Sequence, residues 1–261
     1  MSSDRKDTTT TVATLGSCGG WPEPGRACAG FLIKCGDSHL VLDLGYGAYT
    51  HLSSRLRGNL SAVTAVIVSH CHPDHLVDVH ALHRALYFTG TGRRVPLYAP
   101  TSIVPPLEAF DPEEPSPLST TFRLIALPNT GAMSFDNWEL TSVRTPHYVE
   151  NVAVRLDGPG GSIVYTGDTG PCSQLTSLAA GCDLLICDAT DRHQGEPTQT
   201  GDGLLMTGRD AGVLAAEAEV RHLMLTHFWP GNDRHETAAA ASRSYVGPIT
   251  LADEHGPSLS I

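Results

Sequence analysis

The chain has almost no lysine, two residues against fifteen arginines in 261. That imbalance bears on genome composition and not on function. The absence of any Lys/Arg run says more: Arg93-Arg94 is the densest pair, and the formal net charge is −11. Long polyanions are held by clustered cations that neutralise their phosphates, so a long nucleic-acid partner is disfavoured. No run of about eighteen apolar residues occurs, which excludes a membrane-spanning helix, and no membrane partner is expected. Residues 1–10 lack the apolar segment of a secretory signal and read as a disordered polar tail. The seven cysteines are odd in number and contain no C-x-x-C pair. They read as reduced thiols in a cytoplasmic protein, not as a disulfide framework.

With 41% hydrophobic residues, the remaining 11–261 can bury a substantial core as one α/β domain. Apolar, β-branched runs predict strands at 11–15, 29–34, 39–44, 65–69 and 95–99 in a first half. Those of a second half are expected at 122–126, 140–145, 152–156, 162–166, 183–187 and 223–226. Helical spacing is seen at 77–88, 173–179, 209–219 and 236–245, and Pro/Gly clusters mark loops at 21–25, 100–117 and 157–161.

The most informative segment is His70-Cys71-His72-Pro73-Asp74-His75, which puts four metal-ligand side chains into six positions just after a strand-like run. Chance would produce H-x-H-x-D-H somewhere in this chain at roughly two in a thousand, so a polar loop with a helix cap at Asp74 is the weaker reading. Three more candidates close strand-like runs of their own: His147, Asp168 and His227. Together they offer five imidazoles and two carboxylates, a nitrogen/oxygen set suited to zinc, or to iron or manganese. Seven donors exceed one tetrahedral shell but suit two divalent ions sharing a carboxylate. Asp43 and Asp188, each at the end of a strand pattern, are candidates to orient imidazoles from behind. A turn or cap role for Asp43 is equally compatible with the sequence. Cys71 is expected to point away from the ions, and His80 and His83, further along the following helix, are assigned no role.

These motifs, with Leu15-Gly16-Ser17, Val41-Leu42-Asp43-Leu44-Gly45, Thr145-Pro146-His147, Tyr165-Thr166-Gly167-Asp168-Thr169, Cys187-Asp188-Ala189-Thr190 and Leu225-Thr226-His227, resemble the metallo-β-lactamase superfamily. Within it the match is to the branch containing ribonuclease Z and related phosphodiesterases, over nearly the whole chain. The resemblance implies an αββα sandwich of two mixed sheets flanked by helices, with metals at the strand ends. It implies one ion on His70, His72, His147 and Asp168, and a second on Asp74, His75, His227 and the bridging Asp168. Lactamase-type members often carry a cysteine at the bridging position, so Asp168 favours phosphodiesterase, glyoxalase and lactonase chemistry. The implied catalytic step is attack by a metal-bridging hydroxide, with Asp74 orienting or deprotonating the nucleophile.

The chain departs from that branch in two places. The long arm with which ribonuclease Z grips transfer RNA has no counterpart except residues 193–203, which are short and acidic and read as a surface loop. Leu205 stands where a histidine, thought to contact the scissile phosphate or protonate the leaving group, usually precedes the segment beginning at Met206. Its loss would slow expulsion of a poor leaving group. The leading expectation is hydrolysis of a small phosphodiester. The alternatives are a lactone or thioester hydrolase or acyl cyclase, whose activated substrates need less leaving-group help, and a catalytically silent metal-binding protein. The expected partner is a small-molecule substrate, and a homodimer is left open.

Overall fold

Strand residues alternate between two cores, and that alternation builds the layers. In the computed structural model, which describes residues 9–90, 92–111, 117–194 and 203–261, the first sheet holds β1 (Thr10–Gly16), β2 (Gly30–Cys35), β3 (Ser38–Leu44), β4 (Ala65–Ile67), β5 (Val95–Ala99) and β6 (Phe122–Ala126). The second sheet holds β7 (Thr130–Phe135), β8 (Trp138–Thr145), β9 (Asn151–Gly158), β10 (Gly161–Tyr165), β11 (Leu184–Asp188), β12 (Leu223–Thr226) and β13 (Ile249–Leu251). The C-terminal β14 (Leu259–Ser260) returns to the first sheet beside β1. Each sheet begins with antiparallel neighbours and continues with parallel ones.

Phe31, Ile33, Leu40 and Leu42 point from the first sheet into a core that they share with Leu156, Leu184 and Ile186 of the second. Their neighbours Leu32, Val41 and Leu44 point the other way, as the period-2 geometry of a strand requires. There they meet α1 (Ala48–Arg55) and α2 (Pro73–Thr89), with Leu107 of α3 (Val104–Glu108) and Leu118 of α4 (Leu118–Thr121) closing that layer. On the far side, Leu185 and Cys187 pack against α5 (Ser173–Ala179), α6 (Gly208–Glu217) and α7 (Arg234–Ala241). The result is the expected αββα sandwich: helices, sheet, sheet, helices.

The structure corrects the sequence expectations in three respects. Segment 122–126 belongs to the first sheet, because β6 pairs in parallel with β5 over its whole length. The N-terminal tail was expected to reach residue 10. Residues 1–8 lie outside the described residues, whereas Thr10 already pairs with Cys35 as the first residue of β1. Strands β7, β13 and β14 and helices α1, α3 and α4 were not anticipated, and α3 lies inside the expected loop at 100–117. Of the expected surface loop at 193–203, residues 195–202 lie outside the described residues. Among the described residues no helix is long and apolar enough to cross a membrane.

Candidate metal centre

Four strand exits meet at one edge of the sandwich. The chain leaves β4 into His70-Cys71-His72 and enters α2 at Pro73, whose fixed φ suits the first helical position. Asp74 and His75 therefore lie in the first turn of α2, where a carboxylate is favoured by the helix dipole. His147, Asp168 and His227 follow the ends of β8, β10 and β12. All seven predicted ligands come together, in two groups whose donor atoms lie within 4.8 Å of one another. One group is His70, His72, His147 and Asp168; the other is Asp74, His75, Asp168 and His227.

The separations suit metal shells. Asp168 Oδ2 is 3.9 Å from His70 Nε2 and 3.7 Å from His147 Nε2, while its Oδ1 is 3.1 Å from His75 Nε2 and 3.2 Å from His227 Nε2. Asp74 Oδ2 lies 3.2 Å from His227 Nε2 and 3.7 Å from His75 Nε2. Tetrahedral bonds of about 2.0–2.1 Å place donors roughly 3.3 Å apart. In the first group, His72 Nδ1 lies 3.1 Å from Nε2 of both His70 and His147. A single imidazole proton cannot serve both contacts well, whereas one cation can. His75 Nε2 and Asp168 Oδ1 are buried without a hydrogen bond of good geometry, which also fits donors reserved for an ion.

Four of the five imidazoles have their outer nitrogen tied down. His75 Nδ1–H donates to Asp43 Oδ2 at 2.7 Å. Ser69 Oγ donates to the same oxygen at 2.7 Å, and it accepts from His70 Nδ1–H at 2.9 Å. Thr190 Oγ donates to Asp188 and accepts from His227 Nδ1–H at 2.8 Å. His147 Nδ1–H donates to the Leu204 carbonyl at 3.0 Å. Each bond keeps a proton on Nδ1 and so reserves Nε2 for the inner side, the orientation a metal needs. Asp43 thus acts directly, one of the two roles the sequence left open. Asp188 acts through Thr190, its own oxygen being 3.7 Å from His227 Nδ1. Ser69, Thr190 and Tyr165, whose hydroxyl donates to Asp43 at 2.6 Å, were missed. Tyr165 and Thr190 lie within two of the motifs that carry the resemblance but were given no role, and Ser69 had only its adjacency to His70 to flag it.

Backbone conformation supports the arrangement. Asp43 and His227 both adopt left-handed φ, of 50° and 59°. Such strain costs about 1–3 kcal/mol per residue and is retained where surrounding contacts demand it. Gly45 is required, since a Cβ there would lie 1.8 Å from the Asp74 carbonyl oxygen. Gly19 is required for a different reason: its Cβ would strike the His227 ring, 2.6 Å away. The next residue, Gly20, donates its N–H to Asp74 Oδ2 at 2.6 Å.

Charge divides the two groups. Burial, aided by nearby His75, holds His70 well below the usual imidazole range, and burial likewise lowers His72. Burial opposes charge on His227 too, but the Asp168 carboxylate, with Asp188 and Asp74, pushes it up to about 10. His75 is raised by Asp168 and Asp74 against the same burial cost. The two carboxylates respond in kind: burial alone would raise them, yet the neighbouring imidazoles hold both well below the carboxylate range. Burial thus favours neutral His70 and His72, whereas in the second group raised imidazoles face lowered carboxylates, and an incoming cation would replace their protons.

Cys71 is in neither group and packs against the core beneath α2. His83 is buried, and His80 bonds Asp111 at 3.0 Å, away from the centre. Leu205 is half-buried, and the backbone on both sides of it is tied to the site, through the Leu204 carbonyl and through Met206 N–H to Asp188 at 3.3 Å.

Comparison with known proteins agrees with this geometry. A family described as "Beta-lactamase superfamily domain" matches residues 32–228. The probable metallo-hydrolase YhfI of Bacillus subtilis is 28% identical over 248 residues, covering 92% of this chain and 96% of its own. The crystal structure of YhfI superimposes with a TM-score of 0.84 at 23% identity, covering 97% of this chain and all of that one. The short form of human tRNase Z superimposes at 0.73 with 19% identity, covering 96% and 98% of the two chains. A diphosphatase of the PhnP family also reaches 0.73, with 20% identity and coverage of 97% and 98%.

Proposed function

The chain belongs to the β-lactamase superfamily as a metallo-hydrolase, and on that premise we propose that it cleaves small phosphodiesters at a binuclear centre. The carrying observation is the division of Asp168: one oxygen faces the His70/His147 group and the other the His75/His227 group. His70, His72 and His147 with Asp168 Oδ2 would hold one ion; Asp74, His75 and His227 with Asp168 Oδ1 would hold the other. Zinc fits this donor set best, with manganese or iron as alternatives. Two such ions lower the pKa of water between them and offset charge developing on phosphate oxygens.

The protein's own groups supply orientation. Asp43, Ser69, Thr190 and the Leu204 carbonyl fix four imidazole tautomers, so donor geometry is set before substrate arrives. Asp74 is the catalytic carboxylate of this reading. Its Oδ2 is held by Gly20 N–H and faces His227, which positions it to orient the nucleophile or take its proton. Arg192 and Tyr148 beside His147 favour an anionic substrate over an apolar acyl chain. Charge of −11 supports a small substrate over a long nucleic acid. The free state of all seven cysteines supports a cytoplasmic location.

The deciding experiment is a metal-replete activity screen of bis(p-nitrophenyl) phosphate against p-nitrophenyl esters and lactones. Diester hydrolysis that chelation abolishes and metal restores is expected, with two ions bound per chain. Preferential turnover of esters or lactones would transfer the assignment to acyl hydrolysis, and a single ion per chain would overturn the binuclear centre.

A further inference from the structure

An arc of aromatic rings and one guanidinium runs from one ligand group to the other. Trp21 follows Gly20, the residue bonded to Asp74, and is 49% exposed. Its ring meets Trp229, two residues beyond His227, edge to face at 4.9 Å. The Arg192 guanidinium lies 4.8 Å from the Trp229 ring centre and donates to the Tyr148 hydroxyl at 3.3 Å. Tyr148 is again 49% exposed, and its ring lies 5.2 Å from that of His147. The arc therefore begins beside Asp74 and His227 and ends beside His147.

The loops carrying Trp229 and Arg192 are clasped together. Trp229 N–H donates to the Thr190 carbonyl at 3.2 Å, and Asn232 Nδ2 donates to the carbonyls of Thr190 and Asp191. Gln194 exchanges bonds with the Asp233 backbone in both directions. Arg192 is thereby held in place on the short turn after Thr190, the residue that pins His227.

None of these four side chains belongs to a buried core cluster, and the exposed Trp21 and Tyr148 rings beside a polar ligand cluster mark a binding surface. A guanidinium lying on an indole keeps its outer N–H groups directed at an anion, while the flanking rings offer π faces for stacking. Both demands are met by a ligand with a planar heteroaromatic arm attached to a phosphate. We propose that the Trp21–Trp229–Arg192–Tyr148 arc is a nucleobase platform, making nucleoside phosphodiesters the substrate class of the adjoining centre. The chemistry rests on the phosphodiesterase reading given above, whereas binding to the arc can be measured without turnover.

The test is calorimetric titration of the full-length protein, as purified, with adenosine 5′-monophosphate and with ribose 5-phosphate, alongside quenching of tryptophan fluorescence. The nucleotide should bind more tightly by roughly tenfold to a hundredfold, in keeping with a stacked base, and should quench emission. Trp21→Ala should bring the affinity ratio close to one, Trp21→Phe should retain most of it, and Arg192→Gln should weaken both ligands. Equal affinities in the parent protein, or an unchanged ratio in Trp21→Ala, would overturn the proposal. Diester hydrolysis without nucleotide preference would refute the platform alone. Nucleotide preference without diester hydrolysis would uphold the platform and refute the phosphodiesterase.

Discussion

Replacing Asp43 by Asn would test whether outer hydrogen bonds decide metal affinity at this centre. The fully buried carboxylate accepts from Ser69 N–H (2.7 Å), Ser69 Oγ (2.7 Å), Tyr165 hydroxyl (2.6 Å) and His75 Nδ1 (2.7 Å), three of these on Oδ2. An asparagine keeps the shape and can place its oxygen toward Ser69 N–H. Its NH₂ then occupies the Oδ2 position and donates. Its two hydrogens reach at most two of the three former donors; Ser69 or Tyr165 can accept by rotating its hydroxyl, so folding should lose only about 1–3 kcal/mol, the scale of weakened charge-assisted bonds. His75 has no such freedom: to accept on Nδ1 it must carry its proton on Nε2, the atom that faces Asp168 and Asp74. The second ion could bind Nε2 only with the Nδ1 proton turned against the amide N–H, and loss of such an outer partner typically costs 10–100-fold in affinity. The first ion feels Asp43 only through the Ser69–His70 relay, so its affinity should change much less. Competition against a chromogenic chelator resolves the two affinities, and thermal denaturation reports the stability. Equal weakening at both sites, or none at the weaker one, would refute the tautomer argument.

Three further outcomes follow from the same centre. In metal-free protein His227 (near 10) and His75 are protonated at pH 7, whereas His70 and His72 are already neutral. Affinity for the second ion should therefore climb between pH 6.5 and 9 with release of one to two protons while the first stays nearly flat, and calorimetry in buffers of different ionisation enthalpy would expose equal proton release as a contradiction. Asp74→Asn is almost isosteric and should lower kcat about 10²–10⁴-fold with the fold and first ion retained; near-normal turnover would show the carboxylate's role to be misassigned. Leu205→His should raise diester hydrolysis chiefly for poor leaving groups, by up to about a hundredfold, whereas a loss confined to apolar esters would point to an acyl-binding wall.

The ligands were legible because metal binding demands particular residue types in a tight spacing, and His70-Cys71-His72-Pro73-Asp74-His75 meets that demand within one loop. The eleven predicted strands were legible because double burial leaves continuous apolar runs such as Val41-Leu42 and Leu184-Leu185-Ile186. The missed elements lack those signals. β7 reads Thr-Gly-Ala-Met-Ser-Phe, with alternate residues exposed, and owes its strand form to pairing with β8. β14 is two residues long and exists through its contact with β1. α1 buries only Ala48 and Leu52, too little for a periodic pattern. The placement of β6 failed for a different reason: a strand's own sequence does not say which sheet it joins. Ser69, Tyr165 and Thr190 escaped notice because their importance lies in what they touch across the sandwich.

The distribution of ligands along the chain carries a consequence for assembly. The stretch from His70 to His75 belongs to the first sheet's half, and His147, Asp168 and His227 belong to the second's. Neither half has the full complement for either ion, so a chain severed between β6 and β7 would yield two pieces that are each chemically silent. Their activity would return only on reunion, which β14 encourages by crossing back to β1. On the proposed binuclear reading, turnover would report docking between the halves, and each ion would act as a reversible rivet across the seam.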